Sequence, residues 1–121
     1  MAGGEIRVGT CSWTDKGLLA SGWYPDGART AAGRLAFYGS NFDTVEVDST
    51  FYAIPDQASV FQWAARTYSG FLFNVKAWGL FTWHSVKYGT LPPWIRQEIP
   101  RPESGRLDFQ TIPREMRPIL W

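Results

Sequence analysis

An α/β fold with a parallel sheet is predicted by three features of the sequence. β-prone runs begin near Ile6, Asp43 and Phe71, and segments with capping residues and helical spacing separate them. The runs recur roughly every 30 residues, the period of a (β/α) barrel whose complete set of units takes about 250 residues. Strands in such alternation run parallel through right-handed crossovers. With 121 residues the chain has room for about three units, so the expected architecture is a partial TIM-type (β/α) barrel with an irregular carboxyl-terminal tail. Residues 1–90 are expected to hold the strand–helix units and residues 91–121 a Pro-rich tail.

The first strand is expected over residues 5–11, and the Gly-containing stretch from Asp15 to Arg29 reads as a long loop. Thr30 is the capping residue for a helix over residues 31–41, with Leu35, Ala36 and Phe42 as its apolar stripe. The second strand, residues 43–48, carries Val45 and Val47 on one face and Thr44, Glu46 and Asp48 on the other. Asp56 caps a second helix over residues 57–68, in which Val60, Trp63, Ala64 and Thr67 recur at helical spacing. The third strand, residues 71–77, turns Phe71, Phe73, Val75 and Ala77 one way and Leu72, Asn74 and Lys76 the other. The three strands should lie in chain order, with both helices on one face. Beyond about Tyr88, prolines at 92, 93, 100, 102, 113 and 118 break any long helix and make an irregular segment the expectation.

Charge and composition bound the partners. A net charge of +1 with both signs interspersed leaves no electrostatic footprint for nucleic acid or an anionic membrane. No stretch approaches the ~20 apolar residues of a membrane span, and no leader pattern opens the chain, so no membrane partner and a cytoplasmic location are expected. The single Cys11 rules out an internal disulfide. Aromatic residues make up 17% of the chain, which keeps stacking on sugars or on single-stranded nucleic acid open beside ordinary core packing.

Five ordered segments resemble a known family: VGTCSW at Val8 to Trp13, WYP at Trp23 to Pro25, FDTVEVDSTFY at Phe42 to Tyr52, WAART at Trp63 to Thr67, and FLFNVKAWGLFTWH at Phe71 to His84. The chain is similar over its first ninety or so residues to the domain of unknown function 72 family, also called YecE-like proteins. The resemblance implies an α/β barrel of about twice this length, of which this chain would be an amino-terminal portion, and it implies no specific activity. Asp48 stands where the family more often has Asn, and Ser69-Gly70-Phe71 where it usually has Pro-x-Phe.

Catalytic groups in such barrels sit at the carboxyl ends of the strands. That rule selects Glu46, Lys76 and His84 as candidate catalytic residues, with Trp13, Asp48, Tyr52, Asn74 and Trp78 as candidate substrate-binding residues. Alternation puts Arg7, Gly9 and Cys11 on the inner face with Glu46 and Lys76, and turns Ile6 and Val8 toward the helices. Glu46 and Lys76, on adjacent strands, should approach to about 4 Å or through one water; the same pair would equally serve to fix strand register. Glu46 is assigned general acid/base chemistry, Lys76 stabilisation of negative charge, and Trp13, Tyr52 and Trp78 aromatic walls. A glycosidase pair from Glu46 and Asp48 has a suitable spacing of about 6.6 Å along the strand but a side-by-side direction. A lysine Schiff base at Lys76 lacks an identified carbonyl substrate. Cys11 is read as packing rather than as a nucleophile.

Glu46, Asp48 and His84 form an alternative divalent-metal set, against which stands the single histidine, so no metal ligand is assigned. The expected function is an enzyme acting on a small polar or sugar-like substrate. The alternatives are a non-catalytic module for a ligand or single-stranded nucleic acid, and a metal-dependent endonuclease- or isomerase-like barrel. The sequence names no cofactor. A small-molecule ligand is the expected partner, together with self-association of a truncated barrel through exposed interior and strand edge.

Overall fold

Two compact units make up the chain, and the computed structural model describes residues 3–120. One unit is built from the residues up to Asp48 together with Pro55–Val75, the other from Ser49–Ile54 with the residues from Lys76 onward.

The first unit begins with a short helix, α1 (Lys16–Ala20), inside the stretch expected to be a loop; Asp15 caps it by accepting from the amides of Gly17 and Leu18. Helix α2 (Ala31–Gly39) starts at Thr30, whose hydroxyl accepts the Gly33 amide at 3.0 Å. Strands β1 (Thr44–Val47) and β2 (Leu72–Val75) pair in parallel, Thr44 opposite Leu72 through Val47 opposite Val75. Helix α3 (Gln57–Ala65) lies between them in the chain.

The expected first strand is reduced to one parallel bridge, Cys11 to Glu46. The Ser12 amide donates to the Glu46 carbonyl and the Glu46 amide to the Thr10 carbonyl, at 2.9 and 3.0 Å. Ile6 and Val8 were expected beneath the helices but are 88% and 64% exposed, so apolar burial does not hold this segment. Two other features do. Gly9 passes so close to β1 that a Cβ would run into the Thr44 carbonyl. The buried Tyr38 hydroxyl accepts the Thr10 amide at 2.6 Å and donates to the Thr44 carbonyl at 3.0 Å. The order of the bridged segment, β1 and β2 therefore follows the chain, as expected.

On β1 the alternation is as expected. Val45 and Val47 are buried against Leu35, Tyr38, Trp13 and Phe71, while Thr44 and Glu46 stay half-buried on the other face. On β2 it fails in part. Phe71, just before the strand, is buried and Phe73 partly so, but Val75 is 62% exposed. Helix α3 ends three residues early and buries none of its side chains; only the half-buried Trp63 joins the cluster, and Val60 of the expected stripe is exposed. With so little helix applied to it, β2 has an apolar side chain in water. Ala36 is likewise exposed, and Tyr38 takes the core position instead.

The α3 cap rests on a titratable acceptor. Asp56 Oδ1 accepts the Ser59 amide at 2.7 Å, and the Ser59 amide and hydroxyl together hold its carboxyl below the ordinary value. A depressed folded-state pKa means that the contribution is in place above the unfolded pKa and is lost as pH falls through the folded one. Acidification from about pH 7 to about pH 3 should lower the urea midpoint less in Asp56→Asn, which keeps an acceptor oxygen without the titration, than in the natural sequence. Equal losses in the two would show that protonation does not touch the cap.

The second unit corrects the expectation of an irregular tail. Strand β3 (Val86–Lys87) pairs antiparallel with β4 (Arg106–Leu107), and helix α4 (Pro93–Glu98) lies between them in the chain. The core comprises Trp78, Leu80, Val86, Leu91, Ile95, Ile99, Leu107, Ile112 and Leu120. Six of these nine come from beyond residue 90, so the segment is structural rather than appended. Proline forbids long helices but suits the first turn of a short one, where Pro93 sits. The Tyr88 hydroxyl lies 3.0 Å from the Arg96 carbonyl and 2.7 Å from that of Ile99, closing the end of α4.

Among the described residues the sheets are two pairs of strands with no closed barrel, so the fold is a mixed α/β arrangement with a small parallel sheet. No helix among them is long and apolar enough to cross a membrane.

Candidate functional site

The residues selected from the sequence divide between the two units. Trp13, Glu46, Asp48 and Asn74 belong to the first; Tyr52, Lys76, Trp78 and His84 belong to the second.

In the first unit, strand register sets Glu46 opposite Asn74, and the Cys11 bridge brings that thiol to 3.7 Å from Glu46 Oε1. Asn74 donates to the Thr44 hydroxyl at 2.7 Å, and that hydroxyl donates to the Leu72 carbonyl at 3.0 Å. Asp48 does not continue the strand. It opens a 3-10 turn over Asp48–Phe51, which removes the side-by-side geometry expected for Glu46 and Asp48.

Trp13 is a core residue, 8% exposed, with its ring edge-on to Trp63 at 5.5 Å. Its Nε1 finds no acceptor among the described residues. The ring also lines a cleft of about 430 Å³ with Leu35, Asp56, Gln62, Trp63 and Arg66 among its walls. The Tyr24 hydroxyl donates to the Trp13 carbonyl at 2.6 Å, and burial pushes its pKa up to about 12.

The second unit holds a cavity of about 570 Å³, lined by Phe51, Tyr52, His84, Ser85, Val86, Lys87, Thr90 and Arg106. Its aromatic wall comes from the turn at Asp48–Phe51. The Tyr52 amide closes that turn on the Ser49 carbonyl, and the Thr90 hydroxyl lies 3.1 Å from the Tyr52 carbonyl and 2.8 Å from that of Lys87. The buried Thr50 hydroxyl donates to the Lys76 carbonyl at 2.6 Å, fastening the turn to the start of the long carboxyl-terminal segment. Gly79 passes beneath it, where a Cβ would come to 3.0 Å from the Phe51 carbonyl.

His84 is positioned by its backbone and by its ring. Its amide donates to the Gly79 carbonyl at 2.8 Å, directly after Trp83 in the left-handed region at φ 64°. The imidazole stands edge-on to Phe51 at 5.1 Å, with Nδ1 2.9 Å from the Thr82 hydroxyl. That hydroxyl is also 3.1 Å from the Gly79 carbonyl, which can only accept. A threonine has one hydroxyl proton. Both contacts are hydrogen bonds when Thr82 donates to Gly79 and accepts from His84 Nδ1–H, leaving Nε2 bare in the neutral ring.

Lys76 is not a strand residue, because β2 ends at Val75; its Nζ lies 5.4 Å from the centre of the Phe51 ring, a cation–π contact. Trp78 is 4% exposed within the core of its unit, where it packs edge-on to Phe81. The structure thus gathers Tyr52 and His84 around one cavity, sets Lys76 over the ring of Phe51, which lines it, and gathers Glu46 with Asn74 and Cys11 in the other unit.

Sequence reasoning missed Phe51, Lys87, Thr90 and Arg106. Arg106 lies among prolines that interrupt every periodic pattern, and β3 and β4, which carry Lys87 and Arg106, have two residues each, too few for alternation to register. The DSTFY segment was visible, but its aromatic contribution was read through Tyr52 alone. For a metal, no group of three or more His, Cys, Asp or Glu side chains is gathered among the described residues.

Comparison with curated proteins and with solved structures gives no match. A family model described as "Protein of unknown function DUF72" matches residues 7–104. The match extends past the ninety or so residues that carry the motif resemblance, to residue 104, so it takes in His84, Lys87 and Thr90 but not Arg106. It spans most of the 121 residues, and the chain therefore belongs to the DUF72 family.

Proposed function

We propose that the cavity of the second unit binds a small polar, sugar-like ligand and that His84 acts on it as the acid–base group of an enzyme. The observation that carries this reading is the Thr82 contact, which leaves His84 Nε2 as a proton acceptor beside a cavity of about 570 Å³. That volume lies within the range of about 300–1,000 Å³ typical of small-molecule sites. Phe51 and Tyr52 offer ring faces to the apolar side of a sugar, and Lys76, over Phe51, adds positive charge where negative charge develops.

The experiment is a thermal-shift screen of monosaccharides, sugar acids and sugar phosphates, followed by turnover assays on the compounds that raise Tm. A binding compound should lose its shift in Tyr52→Ala, and His84→Ala should slow turnover by about 10²-fold or more. Nitrogen chemical shifts of His84 should show protonated Nδ1 and bare Nε2 in the neutral form. Shifts that survive in Tyr52→Ala would put the ligand elsewhere. Binding without turnover of any compound would remove the acid–base role and leave a binding module.

A further inference from the structure

We propose that the ligand of this cavity carries a phosphate monoester, seated between Lys87 and Arg106. The inference deepens the small-ligand reading above and rests on it. The β3–β4 register sets Lys87 directly opposite Arg106. Like charges directly opposite on a ladder are destabilising, so a pair with only a structural purpose would bring opposite signs together. Neither side chain forms an ion pair among the described residues. Both line the cavity, and no carboxylate is among the lining residues.

The guanidinium of Arg106 is held in place before any ligand arrives. Its Nε donates to the Ser85 hydroxyl at 2.8 Å and its Nη2 to the Ser85 carbonyl at 2.7 Å. These bonds use two of the five N–H donors that arginine has. A planar fork fixed in this way suits bidentate contact with an oxyanion. Charge then selects among oxyanions. A carboxylate brings one negative charge against two cationic side chains, whereas a phosphate monoester brings about −1.5 to −2 at pH 7 and balances both. The chain carries +1 overall, so this local excess is a property of the cavity and not of the surface as a whole.

The test is calorimetric titration of the full chain with ribose, ribose 5-phosphate, inorganic phosphate and a single-stranded oligonucleotide, each at low and at moderate salt. Ribose 5-phosphate should bind at least about tenfold more tightly than ribose, and Lys87→Gln should bring the ratio of the two affinities close to one. Arg106→Gln should do the same; because it also breaks the Ser85 bonds, Lys87→Gln, whose side chain forms no ion pair, keeps the test decisive if the arginine variant fails to fold. A phosphate advantage that is absent, or that persists in Lys87→Gln, overturns the inference. So does tight, steeply salt-dependent binding of the oligonucleotide without binding of ribose 5-phosphate, which would make the cations a nucleic-acid contact. Tyr52-dependent ribose binding with no phosphate advantage defeats this inference alone. Lys87-dependent binding of inorganic phosphate with no binding of either sugar supports the anion site and defeats the sugar-like reading.

Discussion

Truncating Ile95 to Ala should cost about 2–5 kcal/mol of folding stability, the range for a large aliphatic side chain removed from a packed core. Ile95 is fully buried on α4, in the cluster that Leu91, Ile99, Leu107, Ile112 and Leu120 complete. A domain of this size has roughly 5–15 kcal/mol in all, so the variant should lose a large share of it. Chemical denaturation measures the effect, with Trp94→Ala as the comparison. Trp94 is the preceding residue on the same helix and is 52% exposed, so its truncation should cost much less. A loss below about 1 kcal/mol for Ile95→Ala would mean that the carboxyl-terminal segment is not packed as a core. It would also return that segment to the irregular tail its prolines suggest.

Tyr38→Phe should be costly although it keeps the ring. The ring packs on Phe42 at 4.8 Å and is fully buried, so the substitution preserves volume and removes only the hydroxyl. That hydroxyl is the link between the Thr10 amide and the Thr44 carbonyl. Each buried polar group left without its partner costs about 1–3 kcal/mol. Besides the two backbone bonds of the Cys11 bridge, the segment, with Ile6 and Val8 in water, has little apolar burial to hold it against β1. Hydrogen exchange should therefore accelerate at the Thr10 and Ser12 amides more than at the amides within β2. An unchanged denaturation midpoint with unchanged exchange at these positions would show that the Gly9 approach and the Cys11 bridge suffice without the phenol.

The sequence by itself determined what depends on neighbours a few residues away. Thr30 and Asp56 were readable as caps because a side-chain oxygen two or three residues from an unsatisfied amide is a local arrangement, and both helices begin there. The parallel pairing of β1 with β2 followed from the alternation of strand and helix, and the burial of Val45 and Val47 followed from the two-residue period of a strand. Family membership was readable from five motifs in order, and the family match bears it out.

Tertiary structure decided the rest. Residues 5–11 meet β1 through one bridge, beside the Tyr38 hydroxyl and the close backbone approach at Gly9, neither visible in local pattern. Whether Val75 was covered depended on how much of α3 lay over it. The cavity is assembled from residues 51–52, 84–87, 90 and 106, and Lys87 meets Arg106 only because two very short strands are held together by the core beneath them. Hydrophobic burial is non-directional and indifferent to separation along the chain, so a pairing that it fixes across nineteen positions leaves no periodic trace in the sequence.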